Sequence, residues 1–411
     1  MSDIDLPTLA EREKAKARLE LKTPMKEIND ALKACTFGKF HIKLLFIAFV
    51  GFVAGILASS STAYLLSNAE CDLHMNLVQK GLLNAMPYIG MLLSSIVAGF
   101  LTDAFGRKIF LTVGFGGLFI CTVIAGSSQT YEVLVTAKFF EGLLYVIAPY
   151  PHLFEKEMKE DDPENTKAVK KVKFGERIMT GLKNLKPLVR RPLLNYLALI
   201  GAMQCVVLGV YNVNRLWFPQ LSTIVEHYKF EDNNNLCDLL DVYTSSLKSK
   251  SVSNVTSEVC VPHVSGSETY INSIIIGLIC LLPYFISGAI VNKVGKKVLL
   301  FVGGFISVAS LLGLRWANSK ALMVGLFSTT AAVTHTMRSL AQVTLIELVP
   351  TATRALALSL VMMTARMGTL IGNVMFPILL AMGCAIPFYS MAAAMAFVVF
   401  LTLFLPRGKQ S

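Results

Sequence analysis

Charge is scarce in this chain. Only 16% of its 411 residues are Asp, Glu, Lys or Arg, against roughly a quarter in an ordinary soluble domain, which excludes a protein whose whole surface faces water. Histidine is scarcer still, at 6 residues. His74, His152, His227 and His263 fall in expected connections without ligand spacing, so no metal site is expected. A Gly-rich phosphate loop and a nucleophile paired with a base are both missing, which argues against a nucleotide-driven pump and against an enzyme. No cofactor is expected. No cleavable leader is expected, because residues 1–43 are polar and charged and the apolar run from Leu44 is long enough to stay as a span.

What is abundant is apolar sequence. Hydrophobic residues make up 54% of the chain, mean hydropathy is +0.58, and ten stretches approach the roughly 20 residues that cross a bilayer as a helix. They lie at 44–66, 82–101, 109–127, 133–151, 193–216, 271–291, 298–316, 321–345, 355–380 and 384–405. Backbone groups in lipid must be satisfied internally, so each reads as an α-helix, and the expected class is an all-α, multi-pass membrane protein with the lipid bilayer as its main partner. The formal charge of +11 does not indicate nucleic acid, because the basic residues sit in the connections, where membrane topology explains them. Arg107, Lys108, Lys293, Lys296, Lys297 and Arg354 gather on one side with both termini, and that side reads as the cytosol.

The expected organisation is a cytosolic segment 1–43, a four-span bundle 44–151, a basic cytosolic linker 152–192, a six-span bundle 193–405 and a tail 406–411. The linker holds eleven Lys and Arg residues. Residues 217–270, rich in Ser and Asn, read as a lumenal or extracellular loop, with the glycosylation sequon at Asn254. Cys237 and Cys260 share that loop. In an oxidising compartment they could close a disulfide; the alternatives are two free thiols or a bond to Cys71. The remaining cysteines, Cys384 among them, read as inert packing residues.

An internal repeat organises the bundles. Gly99, Asp103, Gly106, Arg107 and Lys108 are matched, 189 residues later, by Gly288, Asn292, Gly295, Lys296 and Lys297. Each copy joins the second and third spans of its half. In such a turn the glycines allow close helix approach, Asp103 caps a helix or pairs with a cation, and the basic pair anchors at headgroups. Four spans follow the second copy but only two precede the linker after the first. By its own repeat, the first half lacks its fifth and sixth helices.

The motif Gly-x-x-x-Asp-x-x-Gly-Arg-Lys is the one by which the chain is identified as a member of the major facilitator superfamily. Ala31 to Phe40, Cys71-Asp72-Leu73, Ala137 to Gly142, Arg215 to Pro219, Glu347 to Arg354, and Arg366-Met-Gly368 with Gly372-Asn373 resemble, more closely, the synaptic vesicle glycoprotein 2 family and its arthropod relatives, with the organic cation transporters next. The resemblance implies a major facilitator fold of two helical bundles, here with about ten transmembrane helices (4 + 6) instead of twelve. It implies a secondary, alternating-access carrier of a small organic solute, in the plasma membrane or a vesicle membrane. The rival reading is a non-transporting trafficking protein or an inactive shortened isoform. Neither solute nor coupling ion is named by these residues.

Charges at membrane depth are the candidate site, since an unpaired one costs at least about 3 kcal/mol. Lys138 and Glu141, one helical turn apart, read equally as a structural ion pair and as a substrate or coupling site. His335, Arg338 and Arg366 lie deeper and read as substrate contacts or inter-helix bonds. Arg215 and Trp217, at the outer rim, read equally as snorkelling and aromatic-belt anchors and as functional residues. Glu347 and Arg354 read as the second half's gate pair.

Overall fold

The computed structural model describes residues 38–70, 72–73, 75–105, 107–145, 191, 193–228, 235–252, 266–349 and 354–406. Among the described residues there are eleven α-helices and no strand: α1 Lys39–Asn68, α2 Leu77–Phe105, α3 Arg107–Gly126, α4 Tyr131–Tyr145, α5 Leu193–Tyr228, α6 Leu236–Val252, α7 Ser267–Val294, α8 Lys296–Gly313, α9 Lys320–Leu348, α10 Arg354–Met382 and α11 Ala385–Leu403. By packing, the chain divides into two units, residues 1–54 and 55–411. The described part of the first is Gly38–Ala54, the opening turns of α1, where Leu45, Phe46, Ile47 and Phe49 are exposed.

Helices overlie all ten apolar segments expected from the sequence. Six of them contain stretches long and apolar enough to cross a membrane: Leu45–Leu66, Leu193–His227, Ser267–Val291, Lys296–Trp316, Ala357–Met382 and Ala385–Leu403. In α3 the apolar stretch, Thr112–Gly126, is shorter. The polar content of α2, α4 and α9 faces inward instead: Lys80, Asn84, Lys138, Glu141, Thr330 and Thr334 are all buried. On α9 the hydroxyls of Ser328, Thr330, Thr334, Thr336 and Thr344 bond the carbonyl four residues back, so the helix satisfies its own polar face. The outside is apolar, with Phe119, Phe285 and Met382 each 70% exposed. So much exposed hydrocarbon is what a lipid-facing surface carries and a water-facing one avoids.

Close helix crossings rest on glycine. An added Cβ at Gly142 would strike the carbonyl of Pro87, which joins α4 to α2. At Gly368 it would strike the carbonyl of Cys205, which joins α10 to α5. Without a hydrophobic drive between helices in lipid, such small-residue seams bring backbones close enough for dispersion and polar contacts to hold them. α10 packs along both α5 and α2, tying the two halves together.

The reading of 217–270 as loop is corrected at its start and in its middle. α5 runs on to Tyr228 and carries His227 with it, because Trp217, Phe218, Leu221, Ile224 and Val225 are core residues. Trp217 is 1% exposed and lies 5.0 Å, centroid to centroid, from Phe376, so it is no rim anchor. Beyond it, α6 buries Leu236, Leu239, Leu240 and Tyr243, an i, i+3, i+4, i+7 stripe.

The disulfide reading is also corrected. Cys237 is bonded to Cys384 across 147 residues. Cys384 is not an inert span residue: it sits at the turn before α11, where its backbone N–H donates to Asp241 Oδ1 at 3.0 Å, and α6 thereby delivers Cys237 to it. Closing a loop of that length is worth up to about 5 kcal/mol in chain entropy, and less where lipid already restrains the unfolded chain. Non-reducing peptide mapping is expected to join the peptides bearing Cys237 and Cys384, and Cys384→Ser is expected to lower the unfolding midpoint by several degrees. A Cys237–Cys260 peptide would contradict the packing of α6. Asn254, Cys260, Cys71 and nearly all of the 152–192 linker lie outside the described residues.

Candidate functional site

Gly106 lies outside the described residues, as do the surroundings of Gly99 and the side chains of Asp103, Arg107, Lys108 and Asn292. In the second copy, Gly295 joins α7 to α8 at φ 86°, a left-handed value that costs a side chain about 1–2 kcal/mol. Gly288, by contrast, has open space where a Cβ would sit, so it is not a close-approach position. Lys296 pairs with Glu347 at the end of α9, and Lys297 Nζ donates to the carbonyls of Leu403 and Leu405 at 2.7 and 2.8 Å. Glu347 thus meets Lys296 rather than Arg354, whose buried Nε has no partner. Gly295→Ala is expected to lower the thermal midpoint by a few degrees, while Gly288→Ala leaves it in place; equal effects would mean that backbone conformation is not what position 295 supplies.

Lys138 and Glu141 form a buried ion pair at 2.8 Å, and Lys138 Nζ also donates to Ser61 Oγ of α1 at 3.0 Å. Arg366 reaches from α10 to α2, where its Nη1 donates to the carbonyl of Met91 at 2.9 Å and to Ser95 Oγ. The carbonyl of Arg338 accepts from Gln204 of α5 at 2.7 Å. Of the charged candidates at depth, only His335 lines a cavity of about 440 Å³ between α1, α5, α7 and α9.

The volume of that cavity is within the roughly 300–1,000 Å³ typical of small-molecule sites. Asn214 and Arg215 enter from α5, His335 and Phe327 from α9, Tyr64 from α1 and Tyr284 from α7. Both side-chain atoms of Asn214, Nε of Arg215 and Nδ1 of His335 are buried without a partner. Buried polar groups are normally paired, so three such groups around one space mark a place prepared for something polar. The phenols of Tyr88, Tyr145 and Tyr211 surround the Arg215 guanidinium, whose Nη2 donates weakly to Ser59 Oγ at 3.5 Å.

Sequence reasoning missed Asn214 and Arg215 as site residues. With α5 ending near residue 216 they fall at a membrane rim. Twelve further residues of helix put them inside. The signal available was the apolar spacing of Phe218, Leu221 and Val225.

The profile of the family described as "Sugar (and other) transporter" matches residues 36–149 and 258–410. The chain belongs to this sugar transporter family. It is a multi-pass integral membrane protein of major facilitator type, with transport of a small solute as the family's activity. Similar sequences include the svop-1 protein of Caenorhabditis elegans, 31% identical over 28% of this chain and 22% of that protein, and synaptic vesicle glycoprotein 2B of Rattus norvegicus, 26% identical over 27% of this chain and 18% of that one. These matches thus span about a fifth of the relatives' length. Among solved structures, a D-xylose-proton symporter gives a TM-score of 0.58 at 14% identity, covering 89% of this chain and 98% of that one, and the nucleoside transporter NupG gives 0.59 at 10% identity, covering 89% and 99%. At such identities the shared property is the fold. The unmatched stretch 150–257 contains all of α5, so the transporter family profile says nothing of Asn214 and Arg215.

Proposed function

We propose that the chain is a secondary carrier that moves a small organic solute by alternating access, with the cavity between α1, α5, α7 and α9 as its solute site. The observation that carries this reading is the convergence on one cavity of unpartnered polar atoms, both side-chain atoms of Asn214, Nε of Arg215 and Nδ1 of His335. Ten crossing helices in a 4 + 6 arrangement, with both termini cytosolic and a plasma or vesicle membrane as host, belong to the same proposal. Carriers of this kind hold solute between two bundles and rock one against the other. In that movement the Lys296–Glu347 pair, with the repeat turns, acts as a cytosolic latch, and the contact from Arg366 to α2 must loosen or pivot. Lys138 with Glu141 supplies a coupling site that can exchange a proton or ion beside Ser61.

Uptake of a panel of sugars and organic ions into proteoliposomes tests this. At least one solute is expected to accumulate in excess of empty liposomes, with Asn214→Leu and Arg366→Ala each reducing the rate at least tenfold in protein that remains monodisperse. Flat uptake across the panel would sink the carrier reading. It would favour the second one, a non-transporting membrane protein. That reading draws on α7, in whose span the most apolar 18-residue window has no buried residue, although its repeat counterpart α2 packs closely along α10.

A further inference from the structure

The solute cavity has an unequal wall. On the α5 and α9 side it is lined by buried residues such as Phe218 and Phe327. On the α7 side its lining residues are also outer surface: Leu281 is 51% exposed and Tyr284 47%, and an added Cβ at Gly277 would meet nothing within 4 Å. Across from them on α1, Ile56 is 36% exposed. Among the described residues α1 and α7 share no extended backbone contact; they touch at one end, where Tyr64 and Tyr270 stack with centroids 5.6 Å apart. Where α10 covers α2, no helix among the described residues of the first half takes the matching place over α7.

The polar end of the cavity is cationic. Among the described residues the ion pairs are Lys80–Glu70, Lys138–Glu141, Lys296–Glu347 and Lys320–Glu268, and none involves Arg215. A buried guanidinium held only by phenols and a hydroxyl keeps most of its demand for an anion. Asn214, 3% exposed and unpartnered at both side-chain atoms, adds a donor and an acceptor beside it. Most of the remaining lining, Ile56, Ile276, Leu281 and Phe327 among it, is apolar.

Resting on the carrier reading, we propose that this cavity takes an amphiphilic organic anion that enters sideways, between α1 and α7, with its anionic head on Arg215 and Asn214 and its apolar part along α7. The membrane interior is the natural reservoir for such a molecule, and a lateral opening lets its tail stay out of water from bilayer to site.

The test uses the full chain in nanodiscs and three fluorescent probes of equal tail length: a dansyl-labelled undecanoic acid, the matching alcohol and the matching amine. The carboxylate is expected to bind at least about tenfold more tightly than the other two. Arg215→Gln is expected to erase that difference, and Arg215→Lys to restore part of it. Gly277→Phe, which fills the opening, is expected to slow association of the carboxylate at least tenfold. Equal binding of the three probes by the unmodified chain overturns the proposal even if the Arg215 variants fail to fold, and an unchanged association rate in Gly277→Phe overturns the sideways route. Uptake of a neutral polar solute without carboxylate binding sustains the carrier and sinks this inference; neither uptake nor binding sinks both.

Discussion

Gly368→Leu is expected to abolish the monodisperse species in size-exclusion chromatography, whereas Gly325→Leu, on the exposed face of α9, leaves it intact. Position 368 lies on the seam between α10 and α5. Along that seam Thr364 Oγ1 donates to the carbonyl of Gly201 at 3.3 Å, Asn212 Nδ2 donates to Thr369 Oγ1 at 2.9 Å, and a Cβ added at Gly372 would meet Val213 at 2.8 Å. The obstacle at 368 is the backbone carbonyl of Cys205, which cannot rotate away as a side-chain end can. The cost therefore exceeds the about 1–3 kcal/mol of ordinary overpacking, because the helices must separate and the polar bonds on either side of the contact are lost with them. At Gly325 an added Cβ meets nothing within 4 Å. If both variants behave alike, the close approach of α5 and α10 is not a determinant of the fold.

The ten apolar segments were legible because a helix in lipid needs little more than length and hydrocarbon. The Lys138–Glu141 pair was legible because i,i+3 spacing on a helix leaves two opposite charges few other places to go. The solute cavity was harder to see. Its polar groups are separated by more than 100 positions, from Asn214 to His335, and come together only through packing. Arg215 stayed undecided for a local reason: a charge beside Trp near an apparent span end is explained as well by rim anchoring as by function, and only the further turns of α5 remove the first. In α6, Ser-rich composition outweighed the stripe of Leu236, Leu239, Leu240 and Tyr243, whose spacing was plain. Missing that helix also cost the disulfide, since without α6 nothing brings Cys237 to Cys384.

Glu70→Gln is expected to lower the unfolding midpoint by about 5–10 °C, and adding Lys80→Met is expected to recover most of the loss. Lys80 is fully buried near the start of α2, and its Nζ lies 2.7 Å from Glu70 Oε2 in the α1–α2 connection. Tyr243 of α6 bridges the pair, accepting from Lys80 Nζ at 3.1 Å and donating to Glu70 Oε1 at 3.2 Å, while Gln220 of α5 donates to the same hydroxyl at 3.4 Å. Removing only the carboxylate charge leaves a buried ammonium uncompensated, which typically costs 3–5 kcal/mol, whereas replacing both members by uncharged groups is often close to neutral; in a chain this long each kcal/mol moves the midpoint by about 2 °C or less. The single variant Lys80→Met should fall between the two, because Glu70 is the more exposed partner at 10% against 1% and can recruit water. That ordering separates charge from geometry. If the double variant melts as low as Glu70→Gln, the hydrogen-bond bridge through Tyr243, rather than the buried charge, is what holds α6 over the junction of α2 and α5.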